Sequence, residues 1–184
     1  MQIEPAAHSE ECAPEAPEFT CLFREQFRYV WTTLRRLGVF ERDLEDMTHE
    51  VFLRVHGLLA LYDPARPMRP WLFSIALGAA SNYRRLAQHR FDLVAELPEV
   101  SQRGPLADER LAQKQEEGLV HEALQMVPLE QRAILVAHDI EGHSIPDLAA
   151  AFQLSPNTAY SRLRLGRDAF RAAVTRLQRR RGAT

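Results

Sequence analysis

Apolar residues along this chain recur at helical spacing, and strand-like alternation is nearly absent. Leu22, Phe23, Phe27, Val30 and Leu34 fall on one side of a helix predicted over residues 19–37, which Gly38 ends. A second helix is predicted from about Arg42 to Leu59, with Leu44, Met47, Val51, Val55, Leu58 and Leu59 as its buried stripe. A third starts near Pro70, where proline is tolerated in a first turn, and continues to about Gln88. Composition then shifts. Pro98, Gly104, Pro105 and Gly118 stand among polar residues over 96–118, which predicts a flexible linker with some helical character. Further helices fill 119–181, with Pro128 marking a start and Gly142 a stop. Residues 1–18 carry Pro5, Pro14, Pro17 and few large apolar groups, the pattern of a disordered acidic tail. The expected fold is all-α: two small helical domains, over 19–95 and 119–181, joined by a flexible linker.

Two start signals in close succession organise the last quarter. Ser144 can cap one helix, with Asp147 three residues on as in a capping box, and Ser155 followed by Pro156 opens another. From there Ala159, Leu163, Gly166, Phe170, Ala173 and Leu177 line one face, while Asn157, Thr158, Ser161, Arg164 and Leu165 project from the other. The pair reads as a helix-turn-helix whose second helix offers hydrogen-bonding side chains at its N-terminal end, as major-groove reading requires. An ordinary helical hairpin with a solvated face is the plainer alternative.

Charge favours nucleic acid, although the total hides it. The formal net charge is −2, but residues 1–18 hold five glutamates and no lysine or arginine, so the remainder of the chain is at +3. Eight arginines lie between Arg162 and Arg181 against one acid, Asp168, and Lys114 is the only lysine in the chain. Arginine forks onto phosphate and guanine in a way lysine does not. No run of 18 apolar residues exists and the acidic N-terminus has no secretory pattern, so a cytoplasmic protein without membrane insertion is expected. Two cysteines, Cys12 and Cys21, are too few for a disulfide framework, and with His8 they lack a fourth metal ligand. No metal, cofactor or catalytic residue is expected. No Gly-rich phosphate loop or nucleophile–base motif suggests an enzyme.

The second predicted helix opposes its apolar stripe with Asp43, Asp46, Glu50 and Arg54, within about 80° of one another at 100° per residue. Phosphates would repel such a stripe, so it is either a protein-contact face or a solvated face steadied by Glu50 and Arg54 at i,i+4. Next, Tyr62, Arg66, Arg69 and Trp71 interleave aromatics with arginine, and Tyr83, Arg84, Arg85 and Arg90 follow on the helix. That mixture suits single-stranded DNA, where bases stack on rings and arginines hold phosphates. The alternative is that Trp71, Leu72, Phe73, Ile75 and Leu77 supply core.

These pieces in this order resemble the bacterial extracytoplasmic-function (ECF) RNA polymerase sigma factors. Asp43-Leu44-Glu45-Asp46-Met47-Thr48-His49-Glu50-Val51-Phe52-Leu53-Arg54 is similar to their acidic signature, and Arg66-Pro67-Met68-Arg69-Pro70-Trp71-Leu72-Phe73-Ser74-Ile75-Ala76 to a second. Leu129-Glu130-Gln131-Arg132 and the helix-turn-helix resemble the family's other conserved domain. The resemblance implies sigma region 2 over 19–95 and sigma region 4 over 119–181. It implies that Asp43, Asp46, His49, Glu50 and Arg54 dock on the clamp coiled coil of core RNA polymerase, with the flap as a second polymerase contact. Tyr62, Arg66, Arg69, Trp71, Asn82, Tyr83, Arg84 and Arg85 would then capture and open the −10 element. Asn157, Thr158, Tyr160, Ser161, Arg162, Arg164, Leu165 and Arg167 would read the −35 element. An anti-sigma factor is the regulatory partner the family implies, beside promoter DNA and polymerase.

Three departures qualify the match. Gly78 stands where the family usually has Asn, so −10 selectivity would rest on Asn82 or be looser. Tyr160 and Leu165 replace basic residues of the recognition helix, which predicts an unusual −35 sequence with an apolar contact, such as one to a thymine methyl. His49 replaces a usual Gln and could make polymerase affinity depend weakly on pH. Two rival classes are an enzyme with an accessory DNA-binding domain and a stand-alone helix-turn-helix regulator acting without polymerase; the latter would need a dimer surface that the sequence does not display.

Overall fold

In a computed structural model that describes residues 19–93 and 108–182, every regular element is a helix. Helices α1 (Phe19–Leu37), α2 (Leu44–Leu58) and α3 (Met68–Leu93) form one unit, and α4 (Asp108–Gln125), α5 (Leu129–Leu135), α6 (Ile145–Ala151) and α7 (Pro156–Gly182) form the other. The expected tail over 1–18 and the first part of the expected linker lie outside the described residues; its end, from Asp108, is the start of α4.

The first unit packs three amphipathic faces together. Val30, Leu34 and Leu37 of α1 meet Leu44, Val51 and Val55 of α2 and Leu72, Phe73, Ala76 and Ala80 of α3, all buried. Gly38, at φ +101°, ends α1 as foreseen, and its N–H and that of Val39 both reach back to the Leu34 carbonyl at 3.1 Å. One predicted core residue is misplaced. Leu58 is 40% exposed, because α2 ends there and a 3-10 turn over Leu59–Leu61 takes the chain off the helical stripe.

In the second unit a π-type turn, Val136–Ile140, follows α5, with the Glu141 N–H bonded to the Val136 carbonyl at 3.0 Å. Ser144 then caps α6, accepting from the Asp147 N–H at 3.2 Å while its hydroxyl donates to the Asp147 carboxylate at 2.6 Å. Helix α7 crosses α5 so closely that a Cβ on Gly166 would stand 2.8 Å from the Gln131 carbonyl oxygen. The two units pack against each other: buried residues of both belong to one continuous apolar core. The sequence pattern carried no sign of that.

Candidate nucleic-acid interface

Three surfaces carry the candidate residues. On α2, Asp46, His49 and Arg54 are exposed, and Glu50 accepts from the Arg54 guanidinium one turn on. Asp43 belongs elsewhere. It lies in the turn before α2 and accepts from the Tyr83 hydroxyl of α3 at 2.5 Å, and burial together with that carboxylate pushes the phenol up to about 12. The His49 ring stacks near Phe23 (centroids 6.2 Å, 24° between planes) and edges Phe27 at 6.1 Å. Beside it Leu53 is 74% exposed, an apolar side chain between His49 and Asp46 on the outward face. The sequence reading missed Leu53, although its place four residues after His49 puts it on that same face.

The second surface is the loop between α2 and α3 with the start of α3. Tyr62 and Trp71 lie 4.9 Å apart at 44°, and Tyr62 donates its hydroxyl to the Arg66 carbonyl, which folds the loop back on itself. Asp63 accepts from the Ala65 N–H at 3.0 Å and sits 3.4 Å from the Arg66 guanidinium. Tyr62, Arg66 and Trp71 line a groove of about 590 Å³. Arg69 turns away, with its guanidinium 5.1 Å over the Tyr29 ring of α1. Further along α3, Arg85 donates to Asn82 at 2.9 Å, and Arg84 Nη1 is buried without an acceptor among the described residues. So the structure brings three of the eight −10 candidates together and spreads the rest along α3. Gly78 faces open space.

The third surface is the N-terminal half of α7. Ser155 caps it, accepting from the Thr158 N–H at 3.1 Å, and its hydroxyl pairs with that of Thr158 at 2.8 Å. Asn157, Ser161 and Arg164 are exposed, as are Tyr160 (57%) and Leu165 (43%). Two arginines are already engaged. Arg162 pairs with Glu130 at 2.5 Å, and Arg167 forks onto Asp139 through Nε at 2.8 Å and Nη2 at 2.6 Å. That hydrogen-bonded fork holds the Asp139 carboxyl below its ordinary range. Among the described residues no group of three or more His, Cys, Asp or Glu could hold a metal ion, and no helix is long and apolar enough to cross a membrane.

Comparison with known proteins places this geometry. Residues 22–90 match the Sigma-70 region 2 family and residues 117–170 match Sigma-70, region 4. The chain is 31% identical over 144 residues to the ECF RNA polymerase sigma factor SigM of Mycobacterium tuberculosis, covering 78% of this chain and 70% of that one. It is 27% identical over 149 residues to the RNA polymerase sigma factor NccH of Alcaligenes xylosoxydans xylosoxydans, covering 79% and 80%. Among solved structures it superposes on CnrH in complex with the cytosolic domain of CnrY, with a TM-score of 0.61, 25% identity and coverage of 85% and 87%. The fold also matches the sigma factor RpoE in complex with the anti-sigma factor NepR from Bartonella quintana, with a TM-score of 0.66, 17% identity and coverage of 85% and 96%.

Proposed function

This chain belongs to the extracytoplasmic-function RNA polymerase sigma factors, and from that premise we propose how its two units divide the work of directing polymerase to promoters. The unit over 19–95 is the polymerase-docking and strand-opening part. Asp46, His49, Glu50, Arg54 and the exposed Leu53 meet the clamp coiled coil of core polymerase, with Leu53 as an apolar contact on the flank of the charges. Asp43 supports that face from behind by holding Tyr83. Tyr62, Arg66 and Trp71 form the cradle for an unstacked base of the −10 element, and Asn82, Arg84 and Arg85 extend it along α3.

The unit over 119–181 places α7 in the major groove of the −35 element and rests on the polymerase flap. Asn157, Tyr160, Ser161, Arg164 and Leu165 face the bases, while Thr158, Arg162 and Arg167 set the helix in place. The protein supplies address and strand opening in the cytoplasm, and polymerase supplies the chemistry. An anti-sigma partner is supported by the complexes in which CnrH and RpoE were solved. A stand-alone helix-turn-helix regulator is not favoured, since the family match includes region 2 as well as region 4.

The observation that carries this reading is the outward acidic stripe of α2 with an exposed leucine on its flank, on a protein that otherwise presents arginines to DNA. The test is a pull-down of core RNA polymerase by wild type and by Asp46→Arg/Glu50→Arg. Wild-type capture lost on charge reversal is the expected result. Absence of wild-type capture at physiological salt would overturn the assignment of that face.

A further inference from the structure

We propose that one flank of α7 carries a cradle for a sugar–phosphate unit of the duplex, with Arg171 as a positioning residue and Asp168 as the phosphate's competitor. This role rests on the reading of α7 as the −35 helix. It concerns how that helix is seated, apart from which bases it reads.

A stripe of four residues along α7 sets the cradle up. Tyr160, Arg164, Arg167 and Arg171 follow at i, i+4, i+7 and i+11, so they share one side of the helix. With Leu163 and Asp168 they line a pocket of about 430 Å³. At 100° per residue the stripe is centred about 90° round the helix from Asn157, Ser161 and Leu165. A helix is about 10–12 Å across, and the major groove is about 12 Å wide. With Asn157, Ser161 and Leu165 toward the bases, that flank is therefore turned to the sugar–phosphate wall of the groove. Tyr160 and Arg164 border both faces.

The pocket suits an anion, and its guanidiniums are held in different states of readiness. Arg167 is fixed by its fork onto Asp139 through Nε and Nη2, which leaves Nη1 for a further acceptor. Arg164 makes no ion pair with a described residue. Arg171 stands 3.5 Å from Asp168, and the two side chains are 74% and 57% exposed. An exposed pair of that kind contributes little, so a phosphate draws Arg171 off Asp168 at small cost. Three guanidiniums then surround one phosphate, whose oxygens match their planar forks. Tyr160 adds a hydroxyl, and Leu163 gives the sugar an apolar floor.

The match to Sigma-70, region 4 stops at residue 170, so Arg171 lies just outside the part of α7 that the family describes. Asp168 has a second effect. Beside Arg171 in the free protein, it lowers the positive charge of the flank, and indiscriminate attraction to DNA falls with it. The cradle reaches its full charge only when a phosphate is seated in it.

The test measures binding of the holoenzyme, this chain with core polymerase, to a duplex it selects from a random library. The same duplex with its −35 segment scrambled is measured alongside. Arg171→Gln should weaken both by a similar factor, about fivefold to tenfold. Arg171→Lys should stay within about twofold of wild type, because a phosphate accepts a point charge where a base-reading fork does not. Asp168→Asn should bind more tightly. A rise from about 50 to about 200 mM salt should cost it about threefold more than wild type, as one further bare contact predicts. Both changes should vanish in Arg171→Gln/Asp168→Asn. Ethylation interference should show a phosphate whose modification weakens wild type but not Arg171→Gln. Unchanged affinity in Arg171→Gln, a loss confined to the selected −35 sequence, or the same interference pattern in both proteins would overturn the cradle. Ser161→Ala and Leu165→Ala report on the −35 reading itself. If neither they nor scrambling alters affinity while Arg171→Gln weakens it, the cradle stands and the −35 assignment falls.

Discussion

Replacing Arg132 with methionine keeps an unbranched apolar stem and most of the side chain's volume while deleting its hydrogen bonds. The guanidinium makes five: Nε to the Val127 carbonyl at 3.2 Å, Nη1 to the Leu37 carbonyl at 3.0 Å and to Gln125 Oε1 at 2.5 Å, and Nη2 to the carbonyls of Gln125 at 2.7 Å and Val127 at 2.9 Å. None of these partners is a carboxylate. Burial, with Arg84 next, pulls its pKa down to about 10, so the group stays charged at neutral pH and the acceptors must compensate for its lost hydration. In Arg132→Met four acceptors lose their donor, at roughly 1 kcal/mol or more each. Against this, the cost of burying a cation disappears, so the net loss is about 3 kcal/mol. For a chain of this size that is a fall in Tm of about 6–12 °C, read by circular dichroism. Arg132→Lys should recover less than half, since an ammonium cannot fork across the Gln125 and Val127 carbonyls. A methionine variant melting within about 2 °C of wild type would refute the argument that this buried network holds α1, α4 and α5 together.

Two other outcomes follow from close contacts in the second unit and where the two units meet. Gly166→Ala gains about 1 kcal/mol of helix propensity but drives a Cβ to 2.8 Å from the Gln131 carbonyl, an overpacking cost of about 1–3 kcal/mol. A small net loss is expected, and a raised Tm would show that α7 can shift away from α5 freely. Acid should destabilise the contact between the two units. Burial, with Arg69, lowers the pKa of His143 against Glu141 and Asp147, while burial, with Arg35 and Arg132, lowers that of His121 against Glu41. Burial holds the Tyr29 phenol opposite His143 well above its ordinary range, so it stays protonated. At these two histidines the folded protein thus binds fewer protons than the unfolded chain. Its stabilisation is complete above the ordinary histidine value of 6.5 and is lost as pH falls. Tm should therefore fall between about pH 7.5 and about pH 5.5; a constant or rising Tm would contradict the sign.

What the sequence made legible was local. Gly38, the caps at Ser144 and Ser155, and the apolar face of α7 are each written within a few residues of where they act. Leu58 misled because its spacing fits the stripe of α2, while the helix stops just at that point. The π-type turn over Val136–Ile140 leaves no periodic mark. Side-chain pairs between the two units were out of reach altogether: Arg36, which donates to Glu141, is 105 residues from it, and the Tyr29 hydroxyl and His143 ring, 3.1 Å apart, are separated by 114 residues. Nothing short-range distinguishes a paired arginine from a solvated one. For the same reason Asp43 read as part of the acidic stripe, when its partner Tyr83 lies on another helix. Leu53 was readable and overlooked, since counting only charged residues on a polar face hides an apolar one among them.

The carboxylates that hold Arg162 and Arg167 bear on how this protein meets a cell whose ionic strength changes. A bare arginine docking on a phosphate expels a condensed counterion, and each such contact makes affinity fall with the logarithm of salt concentration at a slope of about 0.9. Arg167 arrives already neutralised by Asp139, and Arg162 by Glu130. Of the three arginines in that part of α7, only Arg164 makes no ion pair with a described residue. On the proposed −35 reading, the contact would draw little from the polyelectrolyte effect and more from the fit of Tyr160 and Leu165 to the groove. Promoter choice through this half would then be buffered against the osmotic and ionic upshifts that weaken an arginine-driven grip on DNA.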